Sequence, residues 1–543
     1  MYVYFYQAEI NIKTANETPE RLVKQMKTYD VIVIGAGNGG LAAAATCARE
    51  GLSTLLLERH NIPGGSASSF VRGRFEFEPS LHELCGVGAP DKKGQVEDMF
   101  KRMGGNVKWY THNSTFRLVV PANEGDEGAF LNEDGKWVTV DARMPVGLKE
   151  FAEKLDELVP GSYESCMEAF RLSERLFVAF NALDDPKKLP GSFKDIPDIL
   201  RMVSHTMKEG LDALGMPKKA QDIFNTYWCY MGSPASQFDF LYYMTVLHSY
   251  VEFGTGVPEL RSHEMSLALD EVIRKNGGDI WYNSEVTKVI TKNGKPSGVV
   301  INGNKEVYGK YFICNSSPNK VWNDLFEIKD IPEKQLKMLN ARKTACALTT
   351  VYLGMNKTKE ELGIKDYSVF IAPDSDSDKQ YDAVQDFFSG YCIINCLNEI
   401  IPDCTPEGTS QLFLTTMTFG DVMKDVNPQD YKKFKTKVAR DMIETCEKAL
   451  GISITPYIEE IEIALPPTFC RYLNTPEGTP YGYMLEKWDS MIPRTVQYLN
   501  DQPFDNFYFC GASQERGDGY GCAYYTGEKA AGIVVKALKK EGK

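Results

Sequence analysis

The fold is decided by the stretch Tyr29-Asp-Val-Ile-Val-Ile-Gly-Ala-Gly-Asn-Gly-Gly40, in which an apolar strand runs into a Gly-x-Gly-x-x-Gly turn. The run of alanines that follows predicts a helix. In such a turn the first glycine permits the tight bend, the second lets the backbone approach a pyrophosphate, and the third allows the helix to pack closely on the strand. The helix then points its N-terminal amides at the phosphates. The turn therefore predicts a dinucleotide site whose contacts are Gly35, Gly37, Asn38, Gly39 and Gly40.

The next segment distinguishes between NAD and FAD. A second apolar strand, Ser53-Thr-Leu-Leu-Leu-Glu58, ends in a carboxylate that can accept hydrogen bonds from ribose hydroxyls. Nicotinamide dehydrogenases are expected to continue with a crossover helix, whereas this chain has a glycine turn at Pro63-Gly-Gly65 and a strand-like alternation at Arg72-Gly-Arg-Phe-Glu-Phe-Glu78. This arrangement resembles the FAD-binding continuation of glutathione-reductase-like flavoproteins. The predicted contacts with FAD here are Glu58, Arg59, Gly64, Gly65 and Ser66.

The C-terminal part of the chain supports FAD independently. Asn506-Phe-Tyr-Phe-Cys-Gly-Ala-Ser513 has the pattern of a buried strand that ends in glycine, and the glycine-rich loop 517–527 leads into a helix of small residues. A glycine-rich loop that opens a helix offers backbone amides to an anion. The segment resembles the one with which such flavoproteins hold the ribityl chain and the pyrimidine edge of the flavin. Its predicted contacts are Gly511, Gly521, Cys522 and Ala523.

Further motifs lie between these segments, in the order Phe75-Glu-Phe-Glu-Pro-Ser-Leu-His82, Tyr311-Phe-Ile-Cys-Asn-Ser-Ser-Pro318, Leu465-Pro-Pro-Thr-Phe-Cys-Arg-Tyr472 and Glu477-Gly-Thr-Pro-Tyr-Gly482. With the motifs at both ends, they make the chain similar to the phytoene desaturase, carotenoid isomerase and retinol saturase group of FAD-dependent oxidoreductases. The resemblance extends from Tyr29 to about Leu538. It implies an α/β fold with a glutathione-reductase-type FAD-binding Rossmann domain and a discontinuous α+β substrate domain. It also implies that a backbone group near Val286 contacts the adenine.

The predicted domain organisation is discontinuous. The FAD-binding domain is expected to comprise residues 29–105, 260–321 and 459–543. The substrate-binding domain, a helical lid plus a β-sheet, is expected to comprise residues 106–259 and 322–458, because apolar residues recur at helical spacing over 146–255 and β-rich runs occur within 342–457. Residues 1–28 form an N-terminal extension. Since Met26-Lys-Thr-Tyr-Asp30 looks like the natural opening of a flavoprotein, residues 1–25 are interpreted as an upstream extension or a misassigned start.

Composition excludes several classes of partner. The net charge of −13 over 543 residues argues against nucleic acid, since no region concentrates the lysines and arginines that phosphates require. The thirteen cysteines show neither the spacing of a zinc site nor a disulfide framework, so we predict reduced thiols, no metal and a cytoplasmic location. Neither a signal peptide nor a membrane-spanning run is recognised. A local basic or apolar patch leaves peripheral membrane contact open, and the electron partner and oligomeric state do not follow from the sequence.

Candidates for catalysis are titratable groups expected near the flavin, which itself carries the hydride. His82 follows the strand that should run beside the flavin, and retinol-saturase-like sequences have a histidine at this point. With an ordinary imidazole pKa it would exchange a proton near neutral pH. Tyr524 and Tyr525 could donate to an oxygen of the substrate or flavin. Each of the three could equally be a packing residue, as could three residues that flank another glycine turn and could close the cavity, Arg471, Tyr472 and Tyr481.

The substrate is predicted to be a small hydrophobic molecule. The dense aromatic residues between Phe224 and Phe253 would form core, the lining of an apolar cavity, or both. One departure from the family pattern bears on its identity: carotenoid-processing members usually carry a Tyr-Pro-x-Gly-Gly-like turn where this chain has Gly254-Thr-Gly-Val-Pro-Glu-Leu-Arg-Ser-His263. A smaller or more polar unsaturated substrate is therefore a hypothesis, with Arg261 or His263 as an anchor for a carboxylate.

The predicted activity is an FAD-dependent reaction at carbon–carbon double bonds of an isoprenoid, polyene or unsaturated lipid. Saturation or isomerisation is favoured over desaturation because of His82 and the altered turn. Only one dinucleotide fingerprint is visible, so electrons are expected from the substrate, a soluble donor or a quinone. Two alternatives stay open: an amine-oxidase-like flavoprotein that oxidises a carbon–nitrogen bond, and a flavin-binding protein without catalytic activity.

Overall fold

The computed structural model describes residues 27–89, 92–184, 197, 201–202, 205–517 and 519–542. Residues 1–26, which hold most of the expected N-terminal extension, lie outside this range. The strands, numbered in chain order, are β1 (Thr28–Ile34), β2 (Thr54–Leu57), β3 (Phe70–Arg72), β4 (Phe75–Phe77), β5 (Leu84–Cys85), β6 (Gly88–Ala89), β7 (Lys92–Lys93), β8 (Trp109–His112), β9 (Ser114–Pro121), β10 (Phe130–Leu131), β11 (Trp137–Pro145), β12 (Thr255–Pro258), β13 (Asp279–Trp281), β14 (Val286–Lys292), β15 (Lys295–Ile301), β16 (Lys305–Cys314), β17 (Ala347–Met355), β18 (Ser368–Ile371), β19 (Cys392–Cys396), β20 (Ser410–Thr418), β21 (Ile458–Ala464) and β22 (Phe507–Phe509).

The α-helices of at least seven residues, also numbered in chain order, are α1 (Asn38–Arg49), α2 (Gln95–Met103), α3 (Leu148–Leu158), α4 (Tyr163–Asp184), α5 (Met207–Ala213), α6 (Lys218–Phe224), α7 (Phe240–Phe253), α8 (Ser262–Lys275), α9 (Glu333–Ala341), α10 (Ser377–Ala383), α11 (Tyr431–Leu450), α12 (Pro466–Leu473), α13 (Met491–Asn500) and α14 (Tyr520–Lys540). Among the described residues, no helix combines the length and the hydropathy needed to cross a lipid bilayer.

The first sheet contains the predicted strand, glycine turn and helix as β1, its connecting loop and α1. Strands β13, β2, β1, β16 and β22 are parallel in that order, and the hairpin β14–β15 joins β16 in the antiparallel sense. Side chains of β1 alternate between two cores, as a strand covered on both faces requires. Val31 and Val33 pack with residues of α1, α8 and α14, whereas Ile32 and Ile34 pack in a separate cluster with Trp322.

The second sheet has eight strands in the order β10-β11-β9-β18-β19-β20-β17-β21. The predicted β-rich runs form its long strands β17 and β20, which pair over nine residues each and are buried along their whole length. Val351 and Leu353 of β17 pack with helix α11 on one face. Leu348 and Tyr352 point to the other face, where they share a core with residues of α3, α4 and α7.

One segment differs from the predicted division of the chain. Strand β21 begins at Ile458, where the last FAD-binding segment was expected, but it pairs with β17 in the second sheet. Its sequence alternates between exposed and half-buried residues before ending in buried ones, which suits an edge strand. Strands β9 to β11 lie within residues 106–259, before the stretch of helical spacing, and β9 joins the second sheet by pairing with β18 across the sequence. Both assignments depend on pairing partners that are distant in sequence.

Helices α1 and α14 pack closely because glycines meet at their crossing. A Cβ atom added to Gly527 would lie 2.1 Å from the carbonyl oxygen of Gly39, whereas one added to Gly532, in the same helix, would meet no heavy atom within 4 Å. Contact at 2.1 Å is far below van der Waals distance. The two glycines of α14 therefore offer a matched pair for substitution.

Gly527→Ala should destabilise the protein by roughly 1–3 kcal/mol, because the new methyl group forces the two helices apart. Gly532→Ala should be neutral or stabilising by up to about 1 kcal/mol, since alanine is the better helix former and the site has room. Denaturant unfolding of both variants measures the difference. Equal stability of the two variants would show that the helices are not in the close contact described.

Candidate functional site

One cavity of about 790 Å³ connects the first sheet with the helical part of the chain. On one side it is lined by residues at the carboxyl ends of the parallel strands, including Ile34, Leu57 and Asn315. Ligands of open α/β sheets bind at this edge. On the other side it is lined by aromatic residues, among them Tyr230 and Tyr250. The two sides are continuous, so molecules bound on each side would meet within one enclosure.

The glycine turn before α1 lies against this cavity. Gly35, Gly37 and Asn38 line it, and helix α1 has no side-chain cap at its N-terminus. Gly39 and Gly40, which were predicted as cofactor contacts, are not among the lining residues. A Cβ atom on Gly40 would lie 1.9 Å from the carbonyl oxygen of Gly35, so this position serves the close packing of helix on strand.

Asn315, at the end of β16, is a residue of the site that the sequence prediction did not assign. Added Cβ atoms on Gly37 and Gly511 would each lie 2.5 Å from its side chain, and one on Gly39 would lie 2.6 Å from it. The carboxamide is therefore wedged between the first glycine turn and the C-terminal glycine segment. Its position after the apolar strand Tyr311–Cys314 is the signal that could have identified it, because polar residues at such strand ends reach the ligand edge of the sheet.

Glu58 is buried at the end of β2 and faces the cavity. Its Oε2 accepts a hydrogen bond of 2.7 Å from the Ala36 amide, and its Oε1 accepts one of 2.8 Å from the His60 amide. Each carboxylate oxygen has a further lone pair, so the side chain can also accept from ribose hydroxyls. The remaining predicted contacts of this region that line the cavity are Arg59, Gly64, Gly65, Ser66 and Val286.

A clasp joins this region to the last turn of α12. Arg59 Nη2 donates to the carbonyl oxygens of Arg471 at 2.6 Å and Tyr472 at 3.0 Å. His60 Nε2 lies 2.9 Å from the carbonyl oxygen of Tyr472 and completes the clasp. Tyr472 lines the cavity. Arg471, predicted as a closing residue, acts here through its backbone.

The C-terminal segment forms the opposite wall. The four predicted contacts Gly511, Gly521, Cys522 and Ala523 all line the cavity, and helix α14 begins after Gly519 without a side-chain cap. Tyr520 fastens the segment to the second glycine turn, since its hydroxyl donates to the Ser66 carbonyl oxygen at 2.8 Å. Two long helices thus present uncapped N-termini to the same cavity. Free amides and positive helix ends suit the anionic and polar edges of a dinucleotide.

His82 lines the aromatic side of the cavity and is buried. Its Nε2 lies 3.0 Å from the hydroxyl of Thr415, and its ring packs against Tyr230 and Phe413. Burial lowers the pKa of His82 to about 3. The expectation of an imidazole that titrates near neutral pH is therefore corrected: the buried ring is neutral at pH 7, because removing it from water disfavours the charged form.

Glu83, next in the chain, is the second residue that the sequence prediction missed. It is buried, lines the cavity, and its Oε1 lies 3.1 Å from the Tyr227 hydroxyl and 3.2 Å from the Tyr230 hydroxyl. Its Oε2 has no hydrogen-bond partner. Burial raises the pKa of Glu83 to about 8 against the opposing effect of these hydrogen bonds. A charged residue among apolar neighbours, directly after the candidate His82, is the sequence signal for it.

The other candidates divide between cavity and core. Tyr525 lines the cavity and accepts a hydrogen bond of 3.1 Å from Arg516. Tyr524 is fully buried outside the lining, and its hydroxyl donates to Asn38 Oδ1 at 3.0 Å, so the structure does not bring it to the cavity. Tyr481 lines the cavity and donates to the Cys229 carbonyl oxygen. Of the aromatic residues between 224 and 253, three line the cavity, namely Tyr230, Tyr242 and Tyr250.

Arg261 does not face the cavity as a carboxylate anchor would. Its guanidinium forms an ion pair of 3.1 Å with Glu76 and donates to the Cys404 carbonyl oxygen at 2.5 Å. Its backbone φ is +66°, and it directly precedes α8, whose first amide at Ser262 donates to Glu78. His263 is also not among the lining residues. The altered turn therefore supports the start of α8, and the hypothesis that these two residues anchor a substrate is not supported.

Comparisons with known sequences agree with this geometry. A family model described as an NAD(P)-binding Rossmann-like domain matches residues 33–103. The chain is 23% identical to the chloroplastic prolycopene isomerase of Daucus carota, covering 95% of this chain and 82% of the relative. It is 24% identical to the all-trans-retinol 13,14-reductase of Danio rerio and to the phytoene desaturase of Neurospora crassa, in both cases covering 92% of this chain and 83% of the relative.

Solved structures share the fold. An oxidoreductase from Methanosarcina mazei superposes with a TM-score of 0.61 at 16% identity, covering 92% of this chain and 99% of that one. Cyclohexylamine oxidase from Brevibacterium oxydans superposes with a TM-score of 0.60 at 14% identity, covering 94% of this chain and 100% of that one. The chain is thus a mixed α/β protein with a Rossmann-like dinucleotide-binding domain. Its similarity to the phytoene desaturase, carotenoid isomerase and retinol saturase group, first indicated by the motifs, is confirmed over nearly its whole length.

Proposed function

We propose that the protein is an FAD-dependent oxidoreductase that acts on carbon–carbon double bonds of a small hydrophobic unsaturated molecule. One observation carries this proposal. The glycine turns suited to a dinucleotide and the aromatic chamber that contains His82 and Glu83 belong to the same cavity. An oxidoreductase of this kind needs the reactive ring of its cofactor and an apolar substrate in one enclosure. The three sequence relatives are named for the isomerisation of prolycopene, the reduction of retinol and the desaturation of phytoene.

We propose FAD rather than NAD because segments from both ends of the sequence line one cavity, and a long cofactor would contact both of them. The first glycine turn and Glu58 suit a pyrophosphate and a ribose, and Val286, which the family resemblance assigns to the adenine, lines the same cavity. The second wall, from Gly511 to Ala523, continues this cavity on the far side. We therefore assign the first sheet to a glutathione-reductase-type FAD domain, and the second sheet with its helices to the substrate domain.

The chain's own residues would hold the substrate and control protons. Bound flavin supplies the exchange of a hydride with carbon. Tyr230 and Tyr250 provide flat apolar contacts, and burial of the chamber keeps water from the reacting carbons. His82, neutral and hydrogen-bonded to Thr415, is suited to orient the substrate, while Tyr525 can donate to a polar group of the substrate or cofactor.

The cofactor is tested by release from the denatured protein. We expect purified protein to be yellow and to release FAD, identified by mass spectrometry. Gly37→Ala should lower the flavin content severalfold, because the added Cβ atom would lie 2.5 Å from Asn315 beside the phosphate side of the cavity. Gly532→Ala is the matched control and should retain flavin. A nicotinamide dinucleotide in place of FAD would refute the assignment.

The reaction is tested by anaerobic incubation of protein with chemically reduced flavin and a panel of polyenes, isoprenoids and unsaturated acids. A product heavier by one H₂, detected by mass spectrometry, indicates saturation. An unchanged mass with a shifted retention time indicates isomerisation. Hydrogen peroxide released from oxidised protein on amine addition would instead indicate an amine oxidase. Flavin that neither accepts nor loses electrons with any of these compounds would indicate a non-catalytic protein.

The buried His82 should make stability depend on pH. The folded protein binds a proton at this ring more weakly than the unfolded chain does. The contribution of His82 to the free energy of unfolding is therefore complete above about pH 6.5 and is lost as the pH falls towards 3. The loss is about 1.4 kcal/mol per pH unit. Between pH 7 and pH 5 the wild type should lose about 2 kcal/mol more than His82→Gln, measured by denaturant unfolding. The surface variant His205→Gln is the control, and identical slopes for wild type and His82→Gln would contradict the buried neutral ring.

A further inference from the structure

We propose that the carboxyl group of Glu83, hydrogen-bonded to Tyr230 at the cavity wall, is the proton donor to the substrate carbon, and that Tyr227 holds it in position. The proposal rests on the proposed function, since it names the group that supplies the proton in that reaction. It concerns residues that neither the motifs nor the resemblance assigned. Three observations carry it: the position of Glu83 in the cavity, the hydrogen bonds around it, and the absence of a neighbouring cation in the part of the chain that the structure describes.

The position of Glu83 is set by elements from distant parts of the chain. It follows His82 in the loop between β4 and β5, and Tyr227 and Tyr230 approach it from the helical turn after α6. Both Glu83 and Tyr230 line the cavity, whereas Tyr227 lies behind them in the core. Tyr230 is therefore placed to pass a proton from the carboxyl group into the chamber. Glu83 itself is only 4% exposed, so water has little access to it.

The hydrogen bonds around Glu83 accommodate a hydrogen on its carboxyl group. The Tyr227 hydroxyl lies 2.7 Å from the Thr115 carbonyl oxygen and 3.1 Å from Glu83 Oε1. A phenol has one hydrogen, which favours the shorter contact to the carbonyl oxygen, so Tyr227 gives Oε1 at most a weak hydrogen bond. Oε1 can then keep a hydrogen of its own and direct it to the Tyr230 oxygen at 3.2 Å. A neutral carboxyl also tolerates the absence of a partner at Oε2, where a buried negative charge would be costly.

Among the described residues, no cation accompanies Glu83, and burial outweighs the hydrogen bonds from Tyr227, Tyr230 and Thr255 that favour its ionised form. The titratable side chains near it are those of His82, Tyr227, Cys229, Tyr230, Tyr250 and Tyr367. Burial lowers the pKa of His82 and raises the pKa of Tyr227, Tyr230 and Tyr367, so these side chains are neutral at pH 7. With a pKa raised to about 8 by burial, Glu83 keeps its proton at neutral pH and can still release it.

The proton balance is closed for each direction of reaction. In saturation, a bound reduced flavin would supply the hydride at one carbon, Glu83 would supply the proton at the other, and the resulting carboxylate would regain a proton through Tyr230 from water that enters once the product has left. In isomerisation, Glu83 would give a proton to one carbon and recover the proton lost from another. In desaturation, the carboxylate would take the proton, and a bound oxidised flavin would supply the hydride acceptor. In every case Tyr230 receives one proton and passes one on, so the phenol ends unchanged.

The proton on Glu83 can be observed without turnover by infrared spectroscopy. The wild-type minus Glu83→Gln difference spectrum should show the carbonyl stretch of a buried protonated carboxyl group at pH 7. The band should shift in D₂O and disappear as the pH rises through about 8. Absence of the band at pH 7 would show an ionised carboxylate and overturn the proposal. If Glu83→Gln fails to fold, Glu83→Asp, which keeps the acid on a shorter side chain, should move the band rather than abolish it, and an unmoved band would assign it to another residue.

Reaction rates then test whether the Glu83 proton is transferred to the substrate. The wild-type saturation rate should fall as the pH rises above about 8, and Glu83→Gln should be slower by about a hundredfold or more with no such pH dependence. Tyr230→Phe should be slowed while retaining the infrared band, because the carboxyl group stays but its path to the chamber is lost. Tyr243→Phe is the matched control, since its buried hydroxyl bonds to the Phe224 carbonyl oxygen away from the cavity. Its rate should match the wild type.

Failure of this proposal and of the proposed function can be told apart. If the wild type converts an unsaturated compound and Glu83→Gln converts it equally fast, the proton donor is another group and only the present proposal fails. If the wild type converts none of the compounds while the band titrates, the proposed function fails and the role of Glu83 as donor fails with it. A titrating band together with a slow, pH-independent Glu83→Gln supports both.

Discussion

The contact of Asn315 with three glycines is the constraint on which the two walls of the site depend. Its carboxamide fills the space that side chains on Gly37, Gly39 and Gly511 would occupy. These glycines come from opposite ends of the sequence, and β16 brings Asn315 between them because it pairs with β1 on one side and β22 on the other. Close backbone packing of this kind leaves little freedom for either turn. The cofactor-binding surface is therefore defined by the register of three parallel strands.

Burial has opposite effects on the pKa values of the two adjacent polar residues of the chamber, yet leaves both side chains neutral. It lowers the pKa of the His82 imidazole and raises that of the Glu83 carboxyl. An apolar substrate thus meets a wall without formal charge, although that wall contains a base and an acid. The backbone is fixed here too, because the Tyr367 hydroxyl donates to the His82 carbonyl oxygen. Tyr367, directly before β18 of the second sheet, therefore helps to fix where the loop between β4 and β5 presents its functional groups.

Local sequence patterns brought together most of the predicted cofactor contacts at one cavity, because the glycine turns and strand ends are short and continuous in sequence. Every predicted contact except Gly39 and Gly40 lines the cavity. Neighbouring residues in a helix were harder to separate: Tyr524 and Tyr525 point about 100° apart, so one packs in the core and the other faces the cavity. For Glu83 and Asn315 the local sequence carries only a weak signal, a polar residue beside an apolar run, because their contacts come from partners far away in sequence. The edge strand β21 was misplaced for the same reason.

The clasp links cofactor binding to the way the two sheets are held together. Arg59 and His60 belong to a loop of the first sheet, whereas Arg471 and Tyr472 lie in the last turn of α12, the helix that follows β21 of the second sheet. Its hydrogen bonds lie at exposed side chains and are individually weak, about 1 kcal/mol each. A dinucleotide beneath them would stabilise the closed arrangement by mass action. Loss of the cofactor would therefore weaken the contacts between the two sheets first, while each sheet keeps its own core. The protein without cofactor would then unfold in separate steps, whereas the protein with bound cofactor would unfold as one unit.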